Sequence, residues 1–153
     1  RGGPEDAMYE TVAAVNPLLP ADQPRYLMGV GTPANILETM ALGVDMWDCV
    51  LPSRNARHGL LYYADGIRNL KNARFADDDS PIDPNSAAWP DQRFSKAYLR
   101  HLFQAGEYLA YSLATVHNLH FFLWLTRTAR QHILAGTFAD WKTQLLPALR
   151  HRH

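Results

Sequence analysis

Between Ser53 and Phe75 lie five cationic side chains, Arg54, Arg57, Arg68, Lys71 and Arg74, against the single acid Asp65, and Asp77-Asp78-Asp79 follows directly. Such a run could hold an anionic partner; taken by itself it reads as a solvated loop and hairpin. Upstream, Asp45 and Asp48 stand three residues apart in the apolar run Val44-Asp-Met-Trp-Asp-Cys-Val50. An isolated aspartate at a strand end is most simply a helix or turn cap. Seven histidines are available as ligands or core residues, whereas the lone Cys49 rules out an internal disulfide and a cysteine-built metal cluster within one chain.

The bulk properties bound the partners. Hydrophobic residues make up 47% and charged residues 20%, an ordinary globular balance, and the formal net charge is zero, so no global electrostatic case for nucleic acid exists. No apolar run approaches the ~20 residues of a membrane span, and a cytoplasmic protein without membrane contact is expected. The opening at Arg1, with no initiator Met and no secretory leader, reads as an excised or truncated sequence.

The elements that must position these residues follow from pattern. Glu5 to Val15 is predicted helical, with Met8, Val12 and Val15 on one face and Asn16-Pro17 as its stop. Pro24 to Gly31 has the compact apolar composition of a buried strand, Thr32-Pro33 opens a helix with Ile36, Leu37 and Met40 as its stripe, and Val44 to Val50 forms a second strand. Strand, capped helix and strand make a βαβ unit with parallel strands, too small to be a stable sheet alone. Gly59–Tyr63 and Ile67–Leu70 are predicted to form a hairpin with an Asp-Gly turn across 64–66. Residues 77–92 read as a loop in need of an anchor. From Arg93 onward the chain is predicted helical, first along Phe94, Tyr98, Leu102, Ala105 and Leu109, then through His117, Phe121, Leu125 and Ile133 to Gly136. Thr137 to Asp140 resembles a capping box for a last helix.

Several ordered segments carry a family resemblance: Tyr26-Leu-Met-Gly-Val-Gly-Thr-Pro33, Gly43-Val-Asp-Met-Trp-Asp-Cys-Val-Leu-Pro-Ser-Arg-Asn-Ala-Arg57, Asn72-Ala-Arg-Phe75, Ala97-Tyr-Leu-Arg-His-Leu102 and Thr115-Val-His-Asn-Leu119. In this order, and across nearly the whole chain, they resemble the C-terminal half of bacterial tRNA-guanine transglycosylases, the queuine or preQ1 tRNA-ribosyltransferases. The resemblance implies an α/β chain: the last two strands of a TIM barrel with an RNA-contacting hairpin over 1–76, then a former zinc-subdomain loop and a helical appendix over 77–153. It implies exchange of the wobble guanine of a tRNA for a 7-deazaguanine base, a step towards queuosine, through a covalent intermediate at ribose C1′. In such barrels chemistry sits at the C-terminal strand ends.

By the same resemblance Asp48 matches the nucleophile, Tyr26, Met28 and Gly29 line the base pocket, and Arg54 and Arg57 hold the anticodon loop. The physical chemistry agrees: an ionised carboxylate can attack an anomeric carbon with oxocarbenium character, and a planar guanidinium pairs with phosphate or a base edge. Asp45, earlier in the strand, is assigned a structural role. A homodimer is implied, and Phe94, Tyr98 and His101, at i, i+4 and i+7, are the candidate face. One departure is plain. The family's zinc positions are Ser86, Ala88, Asp91 and His117 here, so only the histidine survives and no metal or other cofactor is expected. Trp89-Pro90 is the expected anchor of the loop in place of zinc. Other residues of the family's site lie in the first half of the barrel, so this chain alone is expected to be inactive. A non-catalytic RNA-binding or dimerisation module, and an inactive truncated or redesigned sequence, remain as alternatives.

Overall fold

The two apolar runs pair with each other, but over far less chain than their composition suggests. In the computed structural model, which describes residues 3–153, β1 (Tyr26–Leu27) lies parallel to β2 (Met46–Trp47), with Tyr26 opposite Met46 and Leu27 opposite Trp47. Arg1 and Gly2, where the sequence opens, lie outside the described residues. β1 stops because the chain turns at Gly29, whose φ of 75° is open to glycine at little cost. The crossover is α2 (Pro33–Ala41), and its start follows the expected chemistry. Thr32 Oγ1 accepts from the Asn35 N–H at 3.2 Å, and Asn35 Oδ1 accepts in return from the Thr32 N–H at 3.1 Å. Leu37, Ile36 and Val44 are buried under this helix, and Trp47 Nε1 donates to Thr39 Oγ1 at 2.9 Å, tying β2 to α2. Before it, α1 (Pro4–Val15) ends where expected, with Asn16 as its C-cap and a 3-10 turn over Asn16–Leu18 following; of its expected stripe Val12 is buried while Val15 is exposed. These elements form one compact unit that ends at Val50.

A second unit runs Leu51–His153. It starts with α3 (Leu51–Arg57), a helix where the charge pattern suggested only loop. Pro52 suits a first turn, where a missing N–H costs nothing. β3 (Leu60–Tyr63) and β4 (Gly66–Asn69) pair antiparallel, with Tyr63 opposite Gly66. The hairpin tip is therefore Ala64-Asp65, and Gly66 belongs to the strand. A Cβ there would come within 2.5 Å of the His151 carbonyl oxygen, so glycine is required by close approach. That approach closes the far edge of β4: the Ile67 N–H donates to His151 O at 2.9 Å and the His153 N–H to Ile67 O at 3.0 Å.

Three helices complete the unit, α4 (Lys96–Gln104), α5 (Tyr108–Ala135) and α6 (Phe138–Arg150). The expected stripe from Phe94 to Leu109 is interrupted, since Ser95 caps α4 by accepting from the Tyr98 N–H at 3.0 Å and the chain breaks at 105–107. Phe94 precedes the helix and stacks on Tyr98 with ring centroids 5.3 Å apart. The expected capping box at Thr137 does not form; its hydroxyl meets His132 Nδ1 at 2.7 Å instead. Among the described residues the architecture is a mixed α/β one, with six helices and two small two-stranded sheets, and no helix is long and apolar enough to cross a membrane.

The buried face of α5 carries Ala110, Leu113, Ala114, Phe121 and Leu125, and midway along it the polar pair His117 and Asn118. Asn118, fully buried, donates to Pro52 O and Leu60 O, each at 3.0 Å, and accepts from the Tyr62 N–H at 3.1 Å. It thus joins α3, β3 and α5. Asn118→Ala removes the partner of three backbone groups, two of them buried and one part-buried, and it is expected to lower the unfolding free energy by roughly 2–4 kcal/mol; the midpoint of urea denaturation measures this.

Candidate active site

The parallel register of β1 and β2 sets Asp48, one residue past β2, alongside the chain that leaves β1. Two donors converge on one of its oxygens. The Tyr26 hydroxyl donates to Asp48 Oδ1 at 2.5 Å, and the Gly29 N–H donates to the same atom at 3.0 Å. The Tyr26 hydroxyl, and after it the Gly29 amide, hold the Asp48 carboxyl below the usual carboxylate range, while the same contact raises the phenol of Tyr26. Asp48 is solvent-exposed, as are Tyr26 at 55% and Met28 at 74%. The structure thus brings Asp48, Tyr26 and Gly29 together, with Met28 on the intervening turn.

Asp45 behaves differently. Its Oδ2 accepts from the Arg25 backbone N–H at 2.9 Å, which fixes the entry to β1. Cys49, half-buried, points its thiol at Gly31 O at 3.5 Å.

In the basic segment, the cations divide by what they touch. Arg68 grips Asp65 through two hydrogen bonds of 2.7 and 2.9 Å and lies over the Tyr63 ring at 4.4 Å. Lys71 sits over Phe103 at 5.5 Å and Arg74 over Phe75 at 4.5 Å. Arg54 and Arg57, in the last turn of α3, are exposed and pair with no carboxylate among the described residues. The hairpin therefore spends its strongest charge internally, and α3 presents its own to solvent.

The third group is buried. His117 and Asp91, 1% and 0% exposed, face each other with Nδ1 and Oδ2 at 2.8 Å, and His117 Nε2 donates to the Tyr62 carbonyl at 2.7 Å. Asp83 also approaches, so that one ligand atom each from Asp83, Asp91 and His117 lie within 4.8 Å of one another. Sequence reasoning missed Asp83, because nothing in the local pattern marks a loop aspartate as folding back on a helix residue as distant in sequence as His117. Of the other two expected positions, Ser86 Oγ accepts from the Ala88 N–H at 3.1 Å and Ala88 offers a buried methyl. The expected anchor is corrected as well: Trp89 is 54% exposed and meets Phe94 and Arg93 rather than α5, whereas Asp91 makes the link to His117.

These residues do not fit a structural zinc. Such a site needs four soft donors in tetrahedral array, and ligands bonded at 2.0–2.1 Å are separated by roughly 3.3 Å. Here nitrogen and carboxylate oxygen are at hydrogen-bond distance, and both histidine nitrogens are engaged. Asp91 Oδ1 is buried without a hydrogen-bond partner among the described residues, which leaves one unengaged oxygen, and Asp83 Oδ1 already accepts from the Asn85 N–H at 2.9 Å.

Fold and site together define an α/β protein with a pre-set, exposed carboxylate at the end of a parallel strand and an arginine-bearing helix following it in sequence. A family model described as queuine tRNA-ribosyltransferase matches residues 1–151, and the chain belongs to that family. It is similar to the queuine tRNA-ribosyltransferase of Oleidesulfovibrio alaskensis, 52% identical over 91% of this chain and 36% of the relative. It is also similar to that of Nitratidesulfovibrio vulgaris, 53% identical over 92% of this chain and 38% of the relative. The Helicobacter pylori enzyme of that name is 50% identical over 99% of this chain and 41% of its own length. The chain therefore spans about two fifths of the length of the curated relatives it matches.

Tyr26→Phe removes the larger of the two donors on Asp48, so the carboxyl pKa is expected to rise towards the ordinary value and the ionised form to be lost at higher pH than in the parent protein. A carbon-detected NMR titration of the Asp48 side chain reads the shift; an unchanged midpoint would mean that the phenol does not tune this carboxylate.

Proposed function

We propose that the chain supplies the nucleophile and an RNA-holding helix of a tRNA-guanine transglycosylase that exchanges the wobble guanine of a tRNA for a 7-deazaguanine base. The observation that carries the reading is the Asp48 carboxylate, exposed to solvent and with Oδ1 held by Tyr26 and Gly29. In the first step Oδ2 attacks ribose C1′; the C1′–N9 bond to guanine breaks, its electron pair leaves with the base, and the base takes up a proton. In the second, the incoming base gives up its proton, its nitrogen attacks C1′, and the bond to Asp48 breaks. The carboxylate is regenerated and no oxidant or reductant is consumed.

Tyr26, Met28 and Gly29 form the base-side wall in this reading: Met28 offers an adaptable apolar surface and Gly29 allows the backbone to come close. Arg54 and Arg57 hold the anticodon loop by charge-assisted contacts. The strands β1 and β2 are the last two of a TIM barrel, which accounts for a two-stranded parallel pair that needs neighbours. The protein is a homodimer through the surface that bears the exposed Tyr98 and His101. It acts in the cytoplasm, where tRNA is modified.

Asp48→Asn, made in the full-length protein, is expected to abolish the denaturation-resistant adduct with tRNA while leaving tRNA binding in place. Adduct formation by that variant would remove Asp48 from the role of nucleophile. Arg54→Ala and Arg57→Ala are each expected to weaken tRNA binding and to reduce the slope of log affinity against log salt by about 0.7, the loss of one single-strand phosphate contact. Filter binding across a salt series measures both, and unchanged affinity in the two variants would return α3 to the status of a solvated helix.

A further inference from the structure

The donor set does not fit the family's zinc, and the geometry points to what holds the loop instead. We infer that a direct polar strap, Tyr62 C=O to His117 to Asp91, has replaced the metal as the cross-link between hairpin, α5 and the loop that follows residue 76.

The proton inventory carries the argument. A carbonyl oxygen only accepts, so the contact of His117 Nε2 with Tyr62 O at 2.7 Å requires a proton on Nε2. Between Nδ1 and Asp91 Oδ2, 2.8 Å apart, a proton lies in the hydrogen bond whichever atom owns it. Nδ1, the only ring nitrogen left for a cation, is therefore taken up by a proton, either its own or one shared from Asp91. In a histidine zinc site one ring nitrogen binds metal and the other donates to a backbone carbonyl. His117 keeps the second of those bonds and gives the first to a carboxylate.

Asp91 in turn organises its loop. Its carbonyl accepts from the Asp83 N–H at 3.1 Å and its N–H donates to Ala88 O at 3.1 Å. Flanking rungs join Ile82 N–H to Phe94 O and Lys96 N–H to Ser80 O, each at 2.9 Å. Fixing Asp91 thus fixes the loop on both sides. Replacement at the metal's own place is also visible at the other two positions, where Ser86 Oγ is spent on the Ala88 amide and the Ala88 methyl is buried. A carboxylate that is 0% exposed is tolerated only with a partner, and His117 is that partner.

Elemental analysis, thermal melting with and without chelator, and two variants test this in the purified protein. The strap predicts sub-stoichiometric metal and a melting temperature unmoved by chelator. Asp91→Ala should lower the melting temperature by roughly 10 °C or more, and should abolish hydrogen-exchange protection at the Ile82 and Asp83 amides. The combined Ser86→Cys, Ala88→Cys and Asp91→Cys variant, purified with zinc, should take up stoichiometric metal and recover a melting transition that chelator then lowers, which keeps the test decisive if Asp91→Ala fails to fold. Three results would each overturn the inference: a stoichiometric divalent metal in the parent protein whose removal destabilises it, an unchanged melting temperature for Asp91→Ala, or a triple-cysteine variant that takes up no zinc.

Discussion

Within the Leu51–His153 unit, the backbone of Tyr62 is held on both sides of its Cα by adjacent side chains of one helix: His117 takes its carbonyl and Asn118 its N–H. Successive residues of a helix point about a quarter-turn or more apart, so two neighbours can serve one strand only where the helix crosses it closely. This fixes the rotation and height of α5 over β3. The other placements follow, since Asn118 also reaches α3 through Pro52 O and His117 also reaches the loop through Asp91. A polar pair inside an apolar core is costly unless every atom is served. Here the amide of Asn118 and both nitrogens of His117 are, and the atom left without a partner among the described residues is Asp91 Oδ1.

The unit that ends at Val50 works on another scale. Its sheet is two residues long on each strand, and its cohesion comes from α2, with Leu37 and Ile36 buried and Trp47 bonded to Thr39. What the short sheet delivers is register. Parallel pairing of Leu27 with Trp47 leaves Asp48 level with the turn at Gly29, so that one backbone amide and one phenol can load the same carboxylate oxygen. Both donors orient the carboxylate, and it stays exposed to solvent.

How much of this was legible varied with the physics behind each signal. The cap at Thr32-Pro33 was, because capping is local and its partner Asn35 lies three residues away. Asp48 and Tyr26 were singled out through the family resemblance; taken alone, Asp48 reads as a helix or turn cap and Tyr26 as a core-strand residue, and their hydrogen bond depends on a register that no local pattern reveals. The Asp-Gly pair suggested a hairpin tip, yet Gly66 is dictated by the return of His151, more than eighty residues later in the chain. α3 was hidden under its own charges, since Arg54 and Arg57 mark it as solvated without marking it as helical. Asp83 and the true anchor of the loop were missed for a related reason: a buried hydrogen-bonded pair looks, in sequence, like two ordinary loop and helix residues, and Trp89 looks like the better anchor until its exposure is known.

The central claim is that one particular carboxylate becomes bonded to the ribose. Peptide mass spectrometry of the denatured enzyme–tRNA adduct, after nuclease and protease digestion, locates that bond directly in the full-length protein. The account predicts a ribose-bearing remnant on Asp48 and none on Asp45; a remnant on Asp45, or on an acid outside the peptide that contains Asp48, would contradict it.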